Sequence, residues 1–141
     1  MEILVVLGVI GIIVGMSVPA LTRYAGSMRL KAVTRQVTGL VSLARSLSIG
    51  SREGHTVVVD STARQIRVVN AESGEALEQS VRLPSGISAE VEVGGAPAPE
   101  QQVAFRTSGA LNGRSAAICL RDGHKTSTIT ITGATGAISV E

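Results

Sequence analysis

The chain has 141 residues, enough for one ordinary domain and too few for two large ones. Tyr24 and Phe105 are its only aromatic residues and Cys119 its only cysteine, which excludes a ring-rich core and an intramolecular disulfide. The net charge of +2 hides a split: residues 1–52 carry six bases against Glu2, whereas residues 53–141 carry seven bases against ten acids, a balance that argues against strong nonspecific nucleic-acid binding by the second part.

The first element is apolar. Residues 3–22 contain no charge, and eleven of the sixteen residues 3–18 are Ile, Leu or Val. On a biological insertion scale those eleven favour the membrane by roughly 3–7 kcal/mol before the glycines and Ser17 are counted against them. Twenty helical residues reach about 30 Å, the thickness of a hydrocarbon core. Pro19 then falls near the far end, where a kink is tolerated. Three readings fit: a cleaved secretory signal, a plain anchor helix, or a helix that lies first in a membrane and later in a bundle. The acidic start Met1-Glu2 speaks against the first, because signals begin with bases. Gly11 and Gly15 form a GxxxG pair, with Gly8 on a neighbouring face, a spacing that lets helix backbones approach closely.

Beyond Pro19 the pattern becomes amphipathic. Leu30, Val33, Val37, Leu40, Ala44 and Leu47 recur at steps of three and four, and Arg29, Lys31, Arg35 and Arg45 lie largely off that stripe. The spacing predicts one helix over residues 3–49, about 70 Å long, ended by Gly50 and residues 51–54. Three segments follow: residues 1–22 as a membrane or filament-core half-helix, residues 23–50 as its amphipathic continuation, and residues 51–141 as a β-rich globular domain. A basic segment beside an apolar run suits lipid headgroups or an acidic neighbouring subunit.

From His55 the period is two. Residues 55–60 and 65–70 read as a hairpin around 61–64. Ile87, Ala89, Val91 and Val93 alternate with polar residues as a half-buried strand. Residues 94–101 read as a loop. Residues 103–106, 116–121, 128–132 and 137–140 are further strands, with Ile129 and Ile131 facing inward. The fold class is therefore α+β: a long N-terminal helix packed on a small antiparallel sheet or sandwich. Cys119 sits in the apolar run 116–120 and reads as a small buried hydrophobe.

The run from Glu2 to Pro19, an acid followed by an apolar stretch and a proline, resembles the N-terminal segment of type IV pilins and type II secretion pseudopilins. Residues 32–48, with Leu43-Ala44-Arg45-Ser46 at their centre, are similar to the helix of the GspH/FimT subfamily, as is the ending Gly136-Ala137-Ile138-Ser139-Val140. The resemblance implies a type IV pilin-like minor pseudopilin or minor pilin, held in the bacterial inner membrane with its globular domain outside the cytoplasm and then drawn into a filament, at its tip or during its initiation. It implies partners: other minor subunits, the major subunit and, for a precursor, a prepilin peptidase, with methylation of the processed end. It assigns assembly to Glu2, Gly11, Gly15 and Pro19, with Glu2 pairing the N-terminal amine of an adjacent subunit. The alternative for Glu2 is simple capping of the first helical turn. Family precursors carry a short basic leader before the acid, whereas only Met1 precedes Glu2 here. A leader upstream would also reconcile the bases after the apolar run with the positive-inside tendency.

No catalytic residue, cofactor or metal is expected. His55 and His124 are far apart, and HExxH, CxxC and GxSxG are absent. Gly123-His124-Lys125-Thr126 lacks the upstream Gly and the Gly-Lys pair of a phosphate loop, so His124 reads as a turn residue, as do Asp60 and Asp122. A second reading is a DNA-binding minor pilin, with Arg106, Arg114, Arg121 and Lys125 as a basic patch. A third is a plain membrane-anchored extracytoplasmic enzyme or receptor domain.

Overall fold

The structure, a computed structural model, describes residues 2–123 and 125–141, and of residues 18–24 the backbone alone. Met1, His124 and the side chain of Pro19 lie outside the described residues. One helix, α1, runs from Glu2 to Ser51 without interruption, about 75 Å at 1.5 Å per residue. It passes through Gly50 and ends where Arg52 takes a left-handed conformation, φ 57°. Ser51 Oγ donates to Leu47 O at 2.8 Å and accepts from Glu53 N at 3.3 Å, so a hydroxyl helps close the last turn.

Nine strands follow: β1 (His55–Asp60), β2 (Gln65–Asn70), β3 (Ala76–Arg82), β4 (Ile87–Val93), β5 (Ala96–Pro97), β6 (Gln102–Phe105), β7 (Ala116–Asp122), β8 (Lys125–Ile131) and β9 (Ile138–Val140). They form two sheets, ordered β3-β2-β1-β6 and β5-β4-β7-β8-β9, with every pairing antiparallel. The β1–β2 hairpin turns where expected. Asp60 Oδ1 accepts from Ala63 N at 2.8 Å, and Arg64 takes φ 52°.

Two strands depart from the sequence reading. β3 holds no alternation of residue type: Glu78, Gln79 and Ser80 are polar and exposed in a row, and only Val81 of the strand is buried. It forms because β2 offers a free edge, and the register shifts between Arg67 and Val69. The segment 94–101 is not wholly loop: Ala96 and Pro97 pair with Val93 and Glu92, and Gln101 fixes the return by accepting from Val91 N and donating to Ala98 O, each at 2.7 Å.

Both sheets and the second half of α1 share one core. Leu30, Val33, Val37, Leu40, Val41 and Ala44 enter from the helix, Val57, Ile66, Val68 and Phe105 from the first sheet, and Val91, Ile118, Leu120, Ile129 and Ile131 from the second. Leu47 of the expected stripe is only half-buried. Val41 and Ser48 are buried in addition, because the stripe drifts around a 3.6-residue helix.

Candidate assembly interface

Helix α1 meets two environments. From Leu30 onward one face is buried, but every residue from Glu2 to Ser17 is exposed, Ile3 at 76% and Leu4 at 71%. A continuous apolar surface of this kind marks a site of association or of membrane contact. Glu2 lies exposed in the first turn. A Cβ built on Gly8, Gly11 or Gly15 would meet nothing within 4 Å, so these notches are open on the helix surface. Among the described residues no helix is long and apolar enough to cross a membrane. The expected twenty-residue span is not met by them: residues 2–17 reach about 24 Å, and the side chains of residues 18–24 lie outside the description.

The helix is tied to the domain at its far end by Arg45. Its Nε donates to Gly109 O at 3.3 Å and Nη2 to Thr135 O at 3.1 Å, joining α1 to the loop after β6 and the turn before β9. Both loops come close because they carry glycine. Gly109 has φ 78° and a Cβ there would stand 2.6 Å from Ile49 Cδ1, while at Gly136, φ 65°, a Cβ would strike Gly109 O. The two segments read separately as family-like, Leu43-Ala44-Arg45-Ser46 and Gly136-Ala137-Ile138-Ser139-Val140, thus meet at one place. Their contact was not legible in the sequence, where Arg45 showed only as a base off the apolar stripe.

The proposed basic patch does not come together. Strand β7 separates its members. Arg114 precedes Ala116 at one end, packed near Gly94, and Arg106 lies at that same end, bonded through Nε and Nη2 to Asn112 Oδ1 at 3.2 and 2.9 Å. Arg121 and Lys125 lie at the other end, about 20 Å away along a seven-residue strand. Lys125 joins Lys31 and Arg35 instead, around a groove of about 440 Å³ between α1 and the β8–β9 edge, with Leu30 and Val140 among its lining residues.

The remaining candidates for chemistry are structural. His55 is buried; its backbone N–H donates to Ser48 Oγ at 3.2 Å and its Nδ1 lies 3.0 Å from Glu53 O. Gly123, φ 50°, turns the β7–β8 hairpin and leads into a strand, not a helix, so the segment has no phosphate-binding helix terminus. Cys119 is buried, but on the outer face of the second sheet, between Glu90 and Thr128, and not in the shared core. Burial, and after it the Glu92 carboxylate, push its thiol above the ordinary cysteine range, which disfavours the nucleophilic thiolate. Among the described residues no cluster could hold a metal ion.

Comparison with known sequence families finds no match, and neither does comparison with curated proteins. Solved structures do match. The type IV minor pilin FimU of Pseudomonas aeruginosa superposes with a TM-score of 0.67 at 13% identity, over 84% of this chain and 92% of that one. The minor pseudopilin EpsH from the type 2 secretion system of Vibrio cholerae gives 0.66 at 15% identity, over 79% and 94%. The fold, a long helix on two antiparallel sheets, is the fold of these two proteins.

Proposed function

We propose that the chain is a non-enzymatic filament subunit of the minor pilin or minor pseudopilin kind, acting outside the cytoplasm at a filament tip or in its initiation. The single observation that carries this is the apolar rod of residues 3–17, exposed on every side and projecting from a domain whose core is complete without it. The two solved structures that share the fold are a minor pilin and a minor pseudopilin, which supports the same reading. Residues 3–22 would hold the chain in the inner membrane and later pack against the helices of sister minor and major subunits, the notches at Gly11 and Gly15 allowing close approach. Processing by a prepilin peptidase belongs to the precursor. A carboxylate among apolar helices is costly unless paired. Glu2, matched to an amine of the neighbouring subunit, then fixes the register of packing.

Separation of Arg106 and Arg114 from Arg121 and Lys125 leaves the DNA-binding reading without a contiguous patch. The test is incorporation: in cells carrying the cognate machine, Glu2→Lys is expected to remove the chain from sheared filaments while its level in membranes stays unchanged. Incorporation at the wild-type level overturns the role.

A further inference from the structure

We propose that the basic groove beside α1 docks on the headgroups of anionic phospholipid and holds the domain against the membrane before assembly; this rests on the membrane placement of residues 3–22 proposed above. The groove, about 440 Å³, is lined by Lys31 and Arg35 of α1 and Lys125 of β8, with Leu30 and Val140 as apolar surface. All three cations are exposed. Among the described residues none of them makes an ion pair or a side-chain hydrogen bond, so their charge is free for a ligand. Glu141, the last residue of the sequence, is the acid of the lining. Counting both its side chain and a terminal carboxylate still leaves the groove cationic.

The unbroken helix sets the height of the groove. Lys31 stands beyond Thr22, where the uncharged run ends, by about 14 Å along the axis. The polar layer of one leaflet takes up roughly 5–8 Å of that distance. What remains is about one Debye length at physiological salt, ~8 Å. Helical side chains lean toward the N-terminus, here back toward the lipid, which shortens it further. The second sheet brings Lys125 to the same level. Asp122, at the β7–β8 turn, would lie 3.5 Å from a Cβ built on Gly26, so this turn sits beside the first part of α1 that the domain covers.

Charge is divided between the two ends of the domain. Near the membrane, Arg29, Arg121 and the three groove cations outnumber the acids Asp122 and Glu141. At the far end the β2–β3 turn exposes Glu72 and Glu75, and its Ala71 N donates to Gly54 O just past α1, about 30 Å from Lys31. A negatively charged leaflet attracts the first end and repels the second, so its field orients the domain as well as binding it. An acidic protein partner would be met equally by cations anywhere on the surface; the placement of these three just beyond the apolar run selects lipid. Each Lys or Arg near such a surface raises partition about fivefold, and the three together roughly a hundredfold.

The experiment uses the full chain in phosphatidylcholine vesicles, with or without phosphatidylglycerol, and a fluorophore on Thr126→Cys, an exposed position; Cys119 is buried. Nitroxide on a lipid headgroup quenches the dye when the groove side lies on the membrane. Phosphatidylglycerol is expected to raise this quenching. Lys31→Gln with Arg35→Gln should lower the ratio of docked to undocked domain roughly 25-fold. Arg67→Gln with Arg82→Gln, exposed cations of the first sheet, should leave it unchanged. Quenching that is indifferent to phosphatidylglycerol, or lowered equally by both pairs, overturns the inference. So does quenching that follows the protein-to-lipid ratio instead, which would mean that another copy covers the groove. A dye on Ile10→Cys tests the premise: quenched by nitroxide on the acyl chains, it leaves the filament reading standing whatever Thr126→Cys shows. If Ile10→Cys is not quenched, both readings fall.

Discussion

A guanidinium presents several N–H donors in a planar fork, and at Arg45 two of its nitrogens reach main-chain carbonyls of different loops. Gly109 belongs to the loop after β6 and Thr135 to the turn before β9, so one side chain closes the domain over the end of α1. Hydrogen bonds to charged groups contribute about 1.5–3 kcal/mol when buried, and the half-exposed setting here reduces that. Arg45→Ala is therefore expected to cost about 2 kcal/mol and to lower Tm by on the order of 10 °C for a domain this size. Arg45→Lys should recover little, because an ammonium cannot present the planar fork. Gly136→Ala should cost more than Arg45→Ala, since its Cβ meets Gly109 O and its φ of 65° strains any L side chain. Thermal melts of the three variants check the order. A Gly136→Ala protein as stable as wild type would show that the two loops do not touch.

At the scale of elements, the end of α1 carries a removable strain. Arg52 holds φ 57° immediately after the helix, the position glycine commonly takes. Its side chain is exposed, so Arg52→Gly should gain about 0.5–1 kcal/mol, seen as a higher urea midpoint with unchanged m-value. Gly50, two residues earlier, is helical and was the less apt marker of the stop. What the sequence made legible follows from periodicity. The stripe Leu30–Ala44, the alternation in β1, Ile87, Ala89 and Val91 in β4, and Ile129 and Ile131 in β8 each repeat at the period of their element and face inward as expected, whereas Val93, the last residue of β4, is exposed. β3 stayed hidden because Glu78-Gln79-Ser80 carries no period; its place is set by the free edge of β2. The apolar rod was legible from composition alone. The groove and the Arg45 clasp were not, because they join residues 64 to 110 positions apart, which no local pattern reports.

The whole molecule consists of a domain and a rod that do not stabilise each other. Leu30 is the first helical residue in the core, and nothing described before Ala25 is buried. Five buried Leu and Val side chains between Leu30 and Val41 contribute a gross burial of roughly 8–15 kcal/mol, an upper bound set by the unfolded reference, and all of it lies beyond the rod. A chain beginning at Ala25 is thus expected to keep its sheets, its core and its stability within about 1 kcal/mol, and to stay monomeric in solution. The full chain is expected to self-associate unless a membrane or detergent covers residues 3–17. Sedimentation with a matched urea titration separates the two properties. Association through the rod should persist at 1 M salt, where the Debye length is only about 3 Å, because apolar contact is not screened. A truncated chain that melts far below the full one would mean that the rod folds back onto the domain, and the case for a free bundling surface would fall with it.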